Sequence, residues 1–398
     1  MHHQILKKVL KRLSRYNKQL RPVWAEIDLA AIRHNIGEIQ RLVGPAVEVM
    51  AVVKAEAYGH GAIPVARAAL AAGASWLGVS LPEEGIALRQ AGLTAPILIF
   101  SPLQLDRNQV AAVVAHDLTA CVCWLDAVVA LSEEAVRAGK EAAVHVKIDS
   151  GMGRVGIRPE EAVEFVSALR RLPGIKIDGI FSHLATADER DKAYARVQME
   201  NFARALADLK ERGLTPRKIH LANSAAVIDL PQSCYNLVRP GIVTYGLYPS
   251  DEVAKEKLRL EPAFALKARV SFVKRVPPGS GISYGQRYHT ERETTIATIP
   301  IGYADGWTRR LTHKAQALVN GKKYPIVGTI CMDQCMIDVG DEPVAIGQEI
   351  VLIGSQGGAT ISVDDVAAQL GTINYEIICM ISDRVPRIYR NGSSDAQD

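Results

Sequence analysis

The sequence predicts an α/β chain: a closed (β/α)8 TIM barrel followed by a mainly β domain. Three observations carry this reading. From about residue 48 to 246, eight short β-branched apolar runs alternate with longer stretches whose apolar residues recur at helical spacing. No glycine-rich phosphate loop follows the first run, where an open doubly wound sheet would usually place one; the residues there are Lys54-Ala55-Glu56-Ala57-Tyr58-Gly59. After about residue 255 the texture changes to strand-like runs separated by Gly and Pro turns.

Taken in order, the strand-like Trp24–Ile27 precedes the barrel and can join the second domain. Barrel strands are expected at Val49–Val53, Trp76–Ser80, Ile97–Phe100, Leu118–Cys123, Ala143–Asp149, Ile177–His183, Ile219–Ala222 and Leu237–Tyr245. Helical patterns lie between them at Ile63–Ala71, Glu83–Ala91, Pro159–Leu172 and Ala193–Arg212. Ser80, Asp106 and Asp126 suit helix caps, and Pro159 suits a first helical turn. In the second domain, strands are expected at Ala265–Val273, Thr295–Ile299, Ile326–Ile330, Met336–Val339 and Glu349–Ile353, with Val363–Leu370 the one helical pattern. The expected division is a basic extension at 1–20, a barrel domain at 21–255 and a β domain at 256–398.

The chain has 398 residues and is 48% hydrophobic, enough to bury one large core and a smaller one. Charged residues make up 23%, which excludes a disordered chain. The net charge of +4 is concentrated: Lys7, Lys8, Lys11, Arg12, Arg15 and Lys18 stand in the first twenty residues with no acid. Taking these six from the 47 Lys and Arg leaves 41 against 43 Asp and Glu, so the body of the chain gives no electrostatic reason to bind nucleic acid. The basic start reads as a terminal extension, with an amphipathic helix as the alternative, since Ile5, Leu6, Val9, Leu10 and Leu13 recur at helical spacing. It lacks the continuous apolar stretch of a signal peptide, and no run of 18 apolar residues offers a membrane span. The spacings of Cys121, Cys123, Cys234, Cys331, Cys335 and Cys379 do not fit a zinc site. Reduced cysteines, no metal and a cytoplasmic location are expected.

In a parallel barrel, function collects at the carboxyl ends of the strands. Lys54 ends the first expected strand, Lys147 and Asp149 the fifth, and His183 the sixth. Asn223 and Ser224 follow the seventh, and Arg239-Pro240-Gly241 lies within the eighth. The loops after the last two strands of such barrels often hold a phosphate; Ser224 offers a hydroxyl there, and Gly241 lets backbone approach closely. A lysine beside a phosphate site suits a Schiff base with pyridoxal phosphate, because only a primary amine makes an imine that a substrate amine can displace. Each feature alone has an ordinary structural reading; their gathering at one face favours the chemical one.

Several motifs resemble the alanine racemase family. They run from Val52-Val53-Lys54-Ala55-Glu56-Ala57-Tyr58-Gly59-His60-Gly61 through Lys147-Ile148-Asp149-Ser150-Gly151-Met152-Gly153-Arg154 and Ser182-His183-Leu184-Ala185-Thr186-Ala187-Asp188 to Ala222-Asn223-Ser224. Val238-Arg239-Pro240-Gly241, Ser283-Tyr284-Gly285, Ile301-Gly302-Tyr303-Ala304-Asp305-Gly306 and Cys331-Met332-Asp333 continue the likeness, which covers about residues 20 to 390. Glu56 stands where the signature has Asp, which keeps the charge. The resemblance implies a head-to-tail homodimer in which each active site is completed by the partner's β domain.

It also implies roles. Lys54 would carry pyridoxal 5'-phosphate as an aldimine and, once displaced, move the proton on one face of the substrate's α-carbon. Tyr284 from the partner would serve the other face, with His183 linking it to Arg239. Arg239 would face the pyridine nitrogen; a guanidinium keeps its proton, so the ring stays uncharged and transamination is suppressed. Tyr58, Asn223, Ser224, Gly241, Ile242 and Tyr375 match cofactor contacts. Arg154 and the partner's Met332 match contacts to the substrate carboxylate, with Tyr303 and Asp333 beside them. Tyr303 and Tyr375 would narrow the entrance in favour of alanine. Lys147 matches a lysine carbamylated in many members; the alternative is an ordinary ion pair. Cys331 reads as a neighbour of the pocket, and Cys331→Ala is expected to keep substantial activity. The competing functions are a racemase of broader specificity, a decarboxylase on a similar scaffold, which Arg239 argues against, and a non-catalytic carrier, which leaves the β domain unexplained.

Overall fold

In the computed structural model, residues 21–391 are described; the basic extension expected at 1–20 lies outside them. The chain divides into two compact units, one of Asp28–Ala263 with the segment from Asn391, and one of Phe264–Arg390 with the segment through Ile27.

β1 (Val23–Asp28) belongs almost wholly to the second unit. The helix Leu29–Val43 opens the first: Asp28 caps it by accepting from the Ala30 and Ala31 N–H groups, and Leu29, Ile32, Ile36 and Ile39 bury one face. Gly44, at φ 80°, ends it.

Eight strands follow: β2 (Glu48–Val52), β3 (Trp76–Val79), β4 (Ile97–Pro102), β5 (Thr119–Val122), β6 (Ala142–Lys147), β7 (Ile175–Phe181), β8 (Lys218–His220) and β9 (Leu237–Val238). Each pairs in parallel with the next from β2 to β8, and β9 pairs back onto β2. Asn236 N–H to Ile219 O (3.4 Å) and Arg239 N–H to Ala222 O (3.0 Å) join β8 to β9 and complete the ring. The eight-stranded barrel read from the sequence is thus present. Met50, Trp76, Leu98 and Leu237 fill part of its interior with Phe100 against them. Gly78 makes room for that ring, since a Cβ there would stand 2.4 Å from it.

Several local expectations need correction. The last strand was expected over Leu237–Tyr245, but only Leu237–Val238 is strand; Pro240 has no N–H for a ladder, and Ile242–Tyr245 forms a 3-10 turn. Ser80 is not a cap: the capping position is Leu81, whose N–H goes to Glu84. Asp126 lies inside the first turn of Leu125–Arg137 rather than before it. Asp106 does cap Arg107–Ala115, accepting from Gln109 N–H at 2.8 Å.

The second unit is a sheet built on β1, β10 (Phe264–Arg269), β11 (Phe272–Val276), β14 (Thr294–Ile299), β15 (Gln316–Val319), β16 (Lys322–Val327), β17 (Cys335–Gly340), β18 (Glu349–Gln356) and β20 (Arg387–Arg390). Two short pieces, β12 (Gly281–Ile282) and β13 (Tyr288–His289), pair with each other, and β19 (Ala359–Ile361) pairs with β18. The order is β11-β14-β17-β16-β15-β18-β10-β1-β20. The run expected as one strand over Ala265–Val273 is two, broken at Val270–Ser271. A second helix, Asn374–Met380, joins Val363–Leu370; seven residues are too few to show a helical period in sequence. No helix among the described residues is long and apolar enough to cross a membrane.

Candidate active site at the carboxyl ends of the barrel strands

Lys54 follows β2 and begins an unusual turn. Ala55, Glu56, Ala57 and Tyr58 all take left-handed backbone, with φ of 51°, 52°, 53° and 54°. For residues with a Cβ this conformation costs about 1–2 kcal/mol each, so outside contacts must hold it. Ala55 N–H donates to Glu84 Oε1 at 2.6 Å, and Ala57 N–H to Val53 O at 2.9 Å. On the other side, Tyr245 donates its hydroxyl to Val52 O at 2.7 Å and sets its ring 4.9 Å from Tyr58 and 4.5 Å from His60.

β9 neighbours β2, so the loop carrying Arg239, Gly241 and Ile242 rises beside the Lys54 turn; Val52 N–H donates to Pro240 O at 3.2 Å. Gly241 N–H donates to Ser224 Oγ at 2.8 Å. A Cβ at Gly241 would stand 2.5 Å from Tyr58 Oη and 3.8 Å from Ser224 Oγ, so glycine leaves a small cradle lined by two hydroxyls and backbone. Asn223 caps the following helix through Ala226 N–H and reaches Leu184 O at 3.5 Å. Donors of this kind suit a phosphate dianion.

Arg239 is 4% exposed. Its Nη2 donates to Ser182 O (2.7 Å) and Leu221 O (3.0 Å), and its Nη1 donates to His220 Nδ1 (2.9 Å). His220 Nδ1 therefore accepts, which puts its proton on Nε2, facing His145 Nδ1 at 2.8 Å. His145 in turn carries its proton on Nε2, 3.8 Å from Asp178. Burial drives both imidazoles below their ordinary range, so the line is neutral between a carboxylate and a guanidinium. Burial also brings Arg239 down to about 9, still protonated at neutral pH. The Phe181 ring stacks on His220, centroids 4.8 Å apart and planes 2° from parallel.

Lys147 ends β6 at 6% exposure, its Nζ 4.5 Å above the Phe181 ring. Burial, then the nearby Arg239 and Arg154, pulls its pKa to about 7. His183, half-buried, is held well below the imidazole range by burial and then by Arg239, Lys147, Arg154 and Lys54. Its Nδ1 lies 3.5 Å from Arg239 Nη2. Arg154 is exposed in the loop after β6, whose Gly151 and Gly153 N–H groups are tied to Asp149. Cys121 is buried and its thiol is pushed up to about 12 by burial, which makes it inert.

The remaining candidates stand in the second unit. Tyr284 is 72% exposed, Met332 52% and Tyr303 42%. Their loops are laced together: Thr329 Oγ1 donates to Tyr284 O (2.9 Å), Tyr303 N–H to Cys331 O (3.1 Å) and Ala304 N–H to Met332 O (3.0 Å). Asp333 is engaged by Arg384 at 2.6 Å, and Cys331 Sγ sits 3.3 Å from Ser283 Oγ. Tyr375, half-buried, is on the helix Asn374–Met380. The structure thus brings Lys54, Tyr58, Lys147, Arg154, His183, Asn223, Ser224, Arg239, Gly241 and Ile242 into the strand-end loops of the barrel unit, and Tyr284, Tyr303, Met332, Asp333 and Tyr375 into the other. His145, His220, Phe181, Glu84 and Tyr245 are additions that sequence reasoning missed. A histidine within an apolar strand run was the available signal for the first two.

The sequence model of the alanine racemase N-terminal domain matches residues 27–249, and that of its C-terminal domain matches 263–389. The alanine racemase of Desulforamulus reducens is 49% identical over 370 residues, covering 92% of this chain and 99% of the relative. Among solved structures, the alanine racemase of Clostridium difficile 630 superposes with a TM-score of 0.90 at 42% identity, covering 94% of this chain and 98% of that one. The alanine racemase of Bacillus anthracis, solved with bound L-Ala-P, gives 0.88 at 43% identity, covering 95% and 97%. Matched in both units, in sequence and in structure, the chain belongs to the alanine racemase family of amino-acid isomerases.

Proposed function

We propose that the chain interconverts L-alanine and D-alanine with pyridoxal 5'-phosphate held at the barrel mouth, and that a second copy of the chain completes the site. The observation that carries this is the cradle at Gly241, bounded by Tyr58 and Ser224, in the loop after β9, which pairs with the strand leading into Lys54, and next to buried Arg239. A cofactor with one phosphate, one aldehyde and one ring nitrogen fits that set. When bound, it supplies an electron-withdrawing ring that acidifies the α-carbon of an attached amino acid.

The chain's own residues do the rest. Lys54 would hold the cofactor through its primary amine, and the same amine, when free, would take or return the α-proton on one face of the substrate. Tyr58, Ser224, Gly241, Ile242 and Tyr375 would hold the phosphate, with Asn223 bracing the Ser224 turn. Arg239 would face the ring nitrogen as a hydrogen-bond donor, and as a strongly basic guanidinium it keeps its own proton at neutral pH. Arg154 orients the substrate carboxylate. Lys147, with its amine near pKa 7, is partly unprotonated at neutral pH and can capture carbon dioxide; the carbamate would turn a third cation into an anion that steadies Arg154.

The second base is Tyr284 of the partner subunit, acting on the opposite face beside His183. A phenol is a weak base at neutral pH and needs an activating neighbour to act there, and its own unit leaves Tyr284 largely exposed. With Met332 and Tyr303 it forms an exposed patch suited to cover by a second copy. The partner's Met332 then joins the substrate contacts, with Tyr303 and Asp333 at the entrance. Alanine as substrate is supported by the L-Ala-P bound to the Bacillus anthracis relative.

Circular dichroism of L-alanine with added pyridoxal phosphate tests the reading. The signal is expected to decay to zero, to do so from D-alanine as well, and to fall more slowly with L-serine. Persistent optical activity in protein whose absorbance shows bound cofactor would overturn it.

A further inference from the structure

We infer that Glu84 is a positioning residue for Lys54, holding the backbone immediately after it through a single bridging carboxylate. The inference rests on the role proposed for Lys54. Glu84 is the third residue of the helix Pro82–Gln90, which begins with an apolar cap, Leu81, whose side chain cannot accept. One carboxylate oxygen does that work: Oε2 accepts from Ser80 N–H at 2.7 Å and from Leu81 N–H at 3.0 Å. Oε1 is left over, and it accepts from Ala55 N–H at 2.6 Å, 29 residues earlier in the chain.

Ala55 N–H is the first donor after Lys54. The peptide unit from the Lys54 carbonyl to the Ala55 nitrogen is planar, so anchoring that N–H fixes ψ of Lys54 and with it the direction in which the side chain leaves the backbone. Ala55 is also the first of the four left-handed residues, where a free backbone would prefer to unwind. The carboxylate thus ties the loop after β2 to the loop after β3, and its charge strengthens all three bonds. An amide cannot replace it. A glutamine has one acceptor oxygen; if that oxygen keeps the two N–H groups of the helix start, its NH2 meets Ala55 donor to donor.

Glu84→Gln therefore separates capping from positioning. Expected are an unchanged melting temperature, a kcat lower by roughly 10- to 100-fold from a displaced amine, and a KM for L-alanine within about twofold. In the cofactor-free chain, amide hydrogen exchange in a peptide spanning Ala55–Tyr58 is expected to quicken about tenfold or more, while the rest of the barrel is unchanged. Glu84→Ala adds a fall in melting temperature from the lost cap; if it fails to fold, Glu84→Gln still decides. Wild-type exchange at Ala55–Tyr58 in Glu84→Gln overturns the inference, whatever happens to kcat. So does faster exchange spread evenly over the barrel, which marks a general structural role. Exchange in the cofactor-free chain does not depend on Lys54 chemistry, so it judges the tether even if cofactor were found on another residue.

Discussion

The two ends of the barrel both carry buried charge, but they balance it differently. At the amino ends of the strands, each charge meets its opposite. Glu48 pairs with Lys218 and accepts from Trp76 Nε1 (3.1 Å) and Ser75 Oγ (3.2 Å). Asp178 faces Arg217 (3.3 Å), Lys176 (3.7 Å) and His145 (3.8 Å). At the carboxyl ends, Lys147 and Arg239 are likewise buried, yet neither has a carboxylate in ion-pairing distance among the described residues. Arg239 spends its donors on two carbonyls and a neutral histidine. A chain able to pair its charges at one end and not at the other has a use for positive potential at the second. The floor holds its charges in pairs, and the mouth keeps unpaired positive charge where the proposed phosphate and substrate carboxylate would sit.

Substitutions can break that contrast. The largest effect is expected from Lys54→Ala at the mouth: racemisation falls by about four orders of magnitude or more, with the melting temperature of the cofactor-free chain unchanged. A large loss of stability would place Lys54 with the floor residues. Next comes Lys147→Met. Folded Lys147 gives up its proton near pH 7, whereas an unfolded lysine keeps it to about 10.4. Between these values unfolding takes up a proton, so the wild-type chain gains stability as pH rises from 7 toward 10. Lys147→Met lacks that slope. In urea unfolding it is expected to be the more stable protein at pH 6, by up to about 4 kcal/mol, with the gap closing by pH 10. Added bicarbonate at pH 8 is expected to raise the melting temperature of the wild type alone, the mark of a carbamate. The smallest effect belongs to the floor. Glu48→Gln is expected to lower stability by about 1–2 kcal/mol through its lost pairing and to leave kcat unchanged. Burial raises the Glu48 pKa, but Lys218, Ser75 and Trp76 hold it below the ordinary value, so the stability this residue contributes is lost as pH falls through the carboxylate range.

The floor and the mouth were not equally legible in sequence. Lys54, Lys147, His183 and Arg239 stood out because polar residues interrupted apolar runs at strand ends. The barrel itself followed from eight such runs, whose amphipathic period is a local property. What escaped depends on distant neighbours. Ala55–Tyr58 is composed of ordinary right-handed helix formers, and its left-handed turn is held by Glu84 and Tyr245, far along the chain. Ile242–Tyr245 has the β-branched and aromatic composition of a strand, but Pro240 and Gly241 turn it out of the sheet. Glu48 and Lys218 are unremarkable on their own and acquire meaning only when the closed ring brings β2 and β8 to the same end.

The central claim is that Lys54 carries the cofactor at the mouth. Borohydride reduction of the holoenzyme, followed by proteolysis and mass spectrometry, tests it most directly. A phosphopyridoxyl group on the peptide containing Lys54, and on no other, is the result the account predicts. A label on Lys147 or another lysine, or no label in protein that racemises alanine, would contradict it.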